Sequence, residues 1–203
     1  KFLNVIASES RRMARLVTDL LTLSRYDSNK KKTKKESFDL GELVKQCQEK
    51  VQIEIDKKKL LSNIKSIIDF DTPLVSNLSN ASRVIMDSIE NTSWCGFYLC
   101  DTVKEILYLG PYQGPLACTI IPYGKGVCGN AASLKKTQLV PNVHEYAGHI
   151  ACSSSTNSEI VVPIIKNNIV VGVIDLDSDL FDNYTLEDVA ILEQVASIIS
   201  ELF

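Results

Sequence analysis

The spacing of apolar residues predicts four long helices along the chain. Apolar positions recur every three or four residues in these segments, which is the helical period. The segments are residues 1–27, 39–59, 73–89 and 185–203. Asp39 and Thr185 suit N-cap positions and Pro73 suits a first helical turn, so each marks a helix start.

Shorter apolar runs predict β-strands in the second half of the chain. The runs are residues 93–100, 105–109, 118–122, 159–165 and 169–175. The Lys166-Asn167-Asn168 turn between the last two indicates a hairpin. A glycine-rich segment with a short helix ending near Leu134, and a long loop over 142–152, separate the strands. This order predicts an α+β fold: a sheet sandwiched by helices and preceded by an N-terminal helical segment.

The first 60 residues differ in character from the rest. The helix over 1–27 carries a narrow apolar stripe, typical of a bundle or coiled coil, and residues 28–36 hold five lysines and predict a linker. Residues 1–60 carry 15 Lys and Arg against 9 Asp and Glu, whereas residues 61–203 carry 7 against 16. We therefore expect two modules, 1–60 and 61–203.

Composition narrows the class of protein. The chain is 45% hydrophobic and 23% charged, which is globular, and no apolar run reaches the roughly 18 residues of a membrane span. The basic segment lacks the aromatic residues of a nucleic-acid surface, so we expect neither a membrane nor a nucleic-acid partner. The chain begins with Lys and shows no signal peptide. We expect an internal stretch of a longer, cytoplasmic product.

Six cysteines are the most reactive residues of the chain. They are Cys47, Cys95, Cys100, Cys118, Cys128 and Cys152. None form a CxxC pair, so we expect no zinc site, and no cofactor is indicated. In a reducing compartment several cysteines favour redox chemistry over structural disulfides. Cys95 and Cys100 have opposite parity on the first predicted strand, and we expect both to be packing residues.

Strand alternation brings several chemically useful side chains to one face. Trp94 and Tyr98 have equal parity on the first strand, and Asp175 and Asp177 have equal parity at the end of the last strand. Glu159 opens the preceding strand. Carboxylates at the end of an apolar strand are costly unless they face water or a ligand. Either the three acids are solvated strand ends, or they converge with the aromatics on one pocket.

Several runs of this sequence resemble the free methionine-(R)-sulfoxide reductases, which are enzymes with a GAF fold. The runs are Gly124-Lys125-Gly126-Val127-Cys128-Gly129, His149-Ile150-Ala151-Cys152, Asn157-Ser158-Glu159-Ile160-Val161-Val162-Pro163, Trp94-Cys95-Gly96-Phe97-Tyr98, Gly110-Pro111-Tyr112-Gln113-Gly114 and Asp175-Leu176-Asp177-Ser178. The resemblance covers roughly residues 63–203. It departs from the family at Ser153, where an Asp is expected after the cysteine.

The resemblance assigns a role to individual residues. It implies that Cys152 attacks the sulfoxide, that Cys118 resolves the intermediate, and that Cys128 is an alternative resolving cysteine. The substrate pocket that it implies consists of Trp94, Tyr98, Glu159, Asp175 and Asp177.

These roles suit the residue types. A thiolate is the attacking nucleophile, a carboxyl group with a raised pKa can protonate the sulfoxide oxygen, and carboxylates can bind the ammonium of a free amino acid. Cys152 would become a sulfenic acid, Cys118 would close a disulfide, and a thioredoxin-like partner would reduce it. The resemblance thus implies an antioxidant oxidoreductase acting on free methionine-(R)-sulfoxide. The alternative is a non-enzymatic signalling GAF module.

Two histidines stand in the loop before the expected nucleophile. A pairing of His144 or His149 with Cys152 is one interpretation. We favour the other, in which both histidines form hydrogen bonds that order the loop.

The N-terminal segment resembles the second dimerisation helix of a sensor histidine kinase. Residues 11–21 and 23–27 carry this resemblance, and residues 38–40 resemble the entry to the ATP-binding domain. The phosphoacceptor motif and nucleotide-binding body are absent, so we expect no kinase activity. We expect few contacts between residues 1–60 and the reductase core. The helix would pair with a second copy in a homodimer, fold back, or remain mobile.

Overall fold

The computed structural model describes residues 13, 16–18, 20–21, 39–150 and 154–203, apart from the side chains of residues 49, 50, 53, 54 and 57. The chain divides into two compact units, Lys1–Gln48 and Glu49–Phe203. The described residues before 39 are helical and exposed. No helix within the described ranges combines the length and apolarity that crossing a membrane requires.

Four helices and six strands make up the described fold. The helices are α1 (Leu40–Ile67), α2 (Leu74–Ser88), α3 (Gly126–Leu134) and α4 (Leu186–Ser200). The strands are β1 (Trp94–Asp101), β2 (Ile106–Gln113), β3 (Ile120–Pro122), β4 (Gln138–Val140), β5 (Ser158–Lys166) and β6 (Ile169–Ser178). A 3₁₀ turn, Val143–Glu145, lies in the expected long loop.

The six strands form one antiparallel sheet in the order β3-β2-β1-β6-β5-β4. One face, which carries Cys95 and Phe97 of β1, packs against α2, α4 and the end of α1. The opposite face, which carries Trp94 and Tyr98, packs against α3. The sheet is therefore covered by helices on both sides, and the expected α+β class is confirmed.

The turn and cap chemistry explains two element boundaries. Asn167 and Asn168 have φ of 50° and 64°, and Lys166 pairs with Ile169 across them. Asparagine tolerates this left-handed region better than most residues, so the two-residue hairpin turn forms as predicted. At the start of α4, Thr185 and Asp188 form a reciprocal capping box, which fixes the first helical turn.

Some predicted boundaries were wrong. The second predicted helix does not end near residue 59: α1 continues to Ile67, and Leu60 and Ile64 are buried in the core. Strand β2 extends to Gln113 through a Gly-Pro pair that reads as a turn. Strand β4 pairs only with the start of β5. It was not predicted because three residues are too few to show a strand periodicity.

Candidate active site

Strand register gathers the candidate pocket residues at one end of the sheet. Asp177 pairs with Trp94 on one side and with Glu159 on the other. Asp175, two residues earlier and therefore on the same face, pairs with Gly96 of β1. Because side chains of paired residues leave the sheet on the same face, an aromatic ring and three carboxyl groups project together.

All five predicted pocket residues line one cavity on the α3 side of the sheet. The chemically reactive or aromatic side chains in its wall are Trp94, Tyr98, Cys128, His149, Glu159, Asp175 and Asp177. Leu116 and Ile150 contribute apolar surface from the two loops at its mouth. The expected convergence is confirmed as geometry, and the interpretation as solvated strand ends is wrong, because Glu159 and Asp175 are each only 6% exposed.

Burial dominates the electrostatics of the three acids. Loss of hydration raises the pKa of Glu159 well above its ordinary value, and the nearby charges of Asp175 and Asp177 add to this rise. Burial likewise raises the pKa of Asp177, and the Asp175 charge contributes. Burial raises the pKa of Asp175 to about 6, while hydrogen bonds from Cys128 and Glu159 oppose that rise. Burial and mutual repulsion therefore disfavour the simultaneous ionisation of all three groups.

Cys128 connects α3 to this carboxyl cluster. Its Sγ donates a hydrogen bond to Oδ2 of Asp175 at 3.1 Å. Burial, with the charges of Asp175 and Glu159, raises the pKa of Cys128 well above its ordinary value, so the residue is a thiol. Oδ1 of Asp175 is buried and has no hydrogen-bond partner among the described residues.

One group of side chains among the described residues could hold a metal ion: Cys128, Glu159 and Asp175. Their potential ligand atoms lie within 4.8 Å of one another. A thiol must lose its proton to become a metal ligand, yet Cys128 uses that proton to bond Asp175. The donor set therefore fits a metal poorly, and the absence of a metal from the reaction stays a prediction.

The aromatic wall is held rigidly. The Trp94 ring stacks on Tyr112 at 5.3 Å between centroids and on Tyr98 at 6.1 Å. Its Nε1 donates a hydrogen bond to the Pro115 carbonyl oxygen at 3.1 Å. A Cβ on Gly96 would lie 2.5 Å from Cη2 of Trp94, so only glycine leaves room for the ring.

The two histidines have different surroundings. His144 is exposed, and its Nε2 lies 2.9 Å from Oδ1 of Asn157, which confirms the loop-ordering interpretation for that residue. His149 instead lines the cavity, with its Nε2 3.7 Å from Oε2 of Glu159. Burial lowers the pKa of His149, and the His144 charge lowers it further. Sequence reasoning placed His149 in the loop but not in the pocket.

The cysteines divide into several environments. Cys95 is buried on the α2 and α4 face and Cys100 is half-buried on the other, so both pack as predicted. Cys118 is half-buried beside the cavity and is disulfide-bonded. The predicted nucleophile, Cys152, lies outside the described residues, as does Ser153. Their roles stay predictions.

Known proteins resemble this chain over most of its length. The GAF domain family model matches residues 74–201. Free methionine-R-sulfoxide reductase of Saccharomyces cerevisiae is 44% identical over 150 residues, which cover 71% of this chain and 83% of the yeast protein. The Escherichia coli protein of the same name is 40% identical over 127 residues, which cover 63% of this chain and 76% of that protein.

Solved structures agree with the sequence relatives. The X-ray structure of free methionine-R-sulfoxide reductase from Neisseria meningitidis, in complex with its substrate, superimposes with a TM-score of 0.70 at 38% identity. The match covers 75% of this chain and 90% of that chain. The fold and the shared sequence therefore assign this chain to the same family. This chain belongs to the GAF-domain family and, within it, to the free methionine-R-sulfoxide reductases.

Proposed function

We propose that this protein reduces free L-methionine-(R)-sulfoxide to L-methionine. The observation that carries the proposal is the convergence of two buried carboxyl groups, a half-buried third and two stacked aromatic rings on one cavity. The relatives named above act on free methionine-R-sulfoxide according to their names, which supports the same substrate here.

The carboxyl cluster is the proposed ammonium site. A primary ammonium has three donors and needs acceptors that carry negative charge. Asp175 offers the unpaired Oδ1, and Glu159 and Asp177 face the same space. A methionine sulfoxide residue inside a peptide has an amide in place of the ammonium, so this site favours the free amino acid.

The aromatic side chains are the proposed wall around the methyl sulfoxide. Trp94 and Tyr98 are almost fully buried, and their stacked rings give an apolar surface of fixed shape. A rigid wall on one side and a fixed ammonium site on the other hold the sulfur in one orientation, which suits discrimination between sulfoxide epimers.

We assign the chemistry to Cys152 and Cys118. The Cys152 thiolate attacks the sulfoxide sulfur, the oxygen passes to the cysteine as a sulfenic acid, and methionine leaves. The Cys118 thiol then attacks the sulfenic sulfur, water leaves, and a disulfide forms. The disulfide bonding of Cys118, together with the free thiols of Cys47, Cys95, Cys100 and Cys128, supports this pairing.

A carboxyl group of the cluster is the proposed acid for the sulfoxide oxygen. Burial raises the pKa of Glu159 and of Asp177, which favours the protonated carboxyl that an acid catalyst needs. The Cys128 thiol donates a hydrogen bond to Asp175. We propose Cys128 as a secondary resolving cysteine that acts after this hydrogen bond breaks.

The reducing equivalents must come from outside the chain. We propose a thioredoxin-like dithiol protein, because exchange with a second thiol pair regenerates both cysteines. We place the reaction in residues 61–203 and give residues 1–60 no catalytic role. A homodimer and a cytoplasmic location stay predictions.

The direct test is conversion of free sulfoxide followed by separation of the epimers. We expect the protein with a thioredoxin recycling system to consume L-methionine-(R)-sulfoxide and to leave the S epimer. Cys152→Ser should abolish consumption, whereas Cys47→Ser, at an exposed thiol, should not alter it. Failure of the unaltered protein to form methionine contradicts the proposal.

A further inference from the structure

His149 is the basic side chain that meets the carboxyl cluster. Among the described residues that line the cavity there is no other His, Lys or Arg. Its Nε2 lies 3.7 Å from Oε2 of Glu159, and the two side chains are only 14% and 8% exposed. Bulk water therefore has little access to the space between them.

The titratable groups around His149 come from several elements. Glu159 faces it from β5, Asp175 and Asp177 line the same cavity from β6, and Cys128 lines it from α3. His144 approaches from the preceding 3₁₀ turn. Burial and His144 lower the pKa of His149, so the free protein holds a neutral imidazole that can accept a proton.

Glu159 holds a proton that an incoming ammonium would displace. In the empty cavity the protonated Glu159 carboxyl can donate a hydrogen bond to Asp175. An ammonium at Asp175 takes over that acceptor and, as a nearby cation, favours the ionised form of Glu159. The proton on Glu159 must then move to another base.

The one His, Lys or Arg side chain in the described lining of the cavity is His149. Transfer from Glu159 to His149 leaves the net charge of the cavity unchanged, whereas release to solvent would leave one more negative charge buried. A separation of 3.7 Å is slightly longer than a hydrogen bond, and such contacts commonly shorten when a ligand closes the site.

We propose that His149 accepts the Glu159 proton when the substrate ammonium binds. The inference rests on the proposed function of the cavity and adds a positioning role for His149, which acts through Glu159. The resulting imidazolium stands three residues before Cys152, a span of at most about 11 Å of extended chain. A positive charge on the segment that leads to Cys152 stabilises a thiolate beside it, so recognition of the ammonium prepares the nucleophile.

The test follows the protonation of His149 directly. The chain has only two histidines, so ¹⁵N-¹H spectra of the ring nitrogens resolve each, and His144→Gln assigns them. We use the full chain with Cys152→Ser, which binds L-methionine-(R)-sulfoxide without turnover, at pH 7. We expect His149 to change from neutral imidazole to imidazolium at saturation, while His144 stays unchanged.

A calorimetric measurement tests the same proton independently. Binding enthalpies in buffers of different ionisation enthalpy give the number of protons released. We expect a release near zero for Cys152→Ser and a larger release when His149→Gln is added.

Two results would overturn this inference and leave the proposed function standing. One is saturable binding with a neutral His149, and the other is equal proton release with and without His149→Gln. Absence of any sulfoxide binding overturns both.

Discussion

Trp94 and Asp177 are paired across β1 and β6, so an aromatic ring and a carboxyl group leave the sheet side by side on the same face. On the other side of β6, strand β5 places Glu159 next to Asp177. Antiparallel pairing thus builds an apolar wall and a carboxyl site from a hairpin, β5 and β6, and the sequence-distant strand β1. The proposed selectivity for a free amino acid rests on this juxtaposition.

Glu159→Gln should weaken catalysis without unfolding the protein. The amide keeps the size of the side chain but removes its negative charge, and a lost charge-assisted contact is worth about 10-fold or more in kcat/KM. Steady-state kinetics with free methionine-(R)-sulfoxide measure the effect. Glu187→Gln, at an exposed site in α4, is the matched control and should behave as the unaltered protein. Equal kinetics for the two variants would remove Glu159 from the site.

The carboxyl cluster should make the empty protein less stable as pH rises. Burial raises the pKa of Asp177 in the folded state, so the folded protein binds more protons than the unfolded chain above the ordinary pKa of Asp. The stabilising contribution is complete below that ordinary value and is lost as pH rises through the folded-state pKa. Asp177→Asn should therefore raise Tm by about 2 °C or more at pH 8, and less at pH 5. Thermal scans at both pH values measure this, and a larger gain at pH 5 would contradict it.

Gly96→Ala should displace the aromatic wall. The added methyl group would collide with Tyr112 and lie 2.5 Å from the Trp94 ring, and such crowding costs about 1–3 kcal/mol of stability. Trp94 is the single tryptophan, so its fluorescence reports the displacement directly. We expect a red-shifted emission and a raised KM. An unchanged emission spectrum with normal kinetics would show that the cavity tolerates the methyl group.

Cys118→Ser should separate the first chemical step from recycling. We expect a fast burst of about one methionine per chain and then slow turnover, because the sulfenic acid forms but only Cys128, the secondary resolving cysteine, remains. Cys100→Ser, at a half-buried packing position, is the control and should turn over continuously. Rapid quench with methionine quantification measures both. Turnover by Cys118→Ser as fast as that of Cys100→Ser would transfer the main resolving role to Cys128.

Leu60→Ala should reveal that α1 belongs to the core of the second unit. Leu60 is 2% exposed, and deleting such a side chain costs about 2–5 kcal/mol. Leu43→Ala, at a 44% exposed position on the same helix, should cost much less. A chain starting at residue 61 should for the same reason be less stable than one starting at residue 49. Denaturant unfolding gives these differences, and equal midpoints would place residue 60 outside the core.

Strand alternation predicts which of the candidate side chains share a face, whereas their assignment to one pocket came from the family resemblance. The parity of Trp94 with Tyr98, and of Asp175 with Asp177, follows from the two-residue period and needs no tertiary information. The position of His149 was not predictable, since a loop side chain has no periodic constraint. The end of α1 was missed because three consecutive lysines, residues 57–59, suggest an exposed helix terminus. The next residue, Leu60, is instead buried in the core.

The central claim is that the carboxyl cluster recognises the ammonium of a free amino acid. The most direct measurement compares kcat/KM for L-methionine-(R)-sulfoxide with that for its N-acetyl derivative, which keeps the sulfoxide and the carboxylate but has no ammonium. We predict a loss of 100-fold or more, on the order of two charge-assisted contacts, for the acetylated substrate. Equal kcat/KM values for the two substrates would contradict the account.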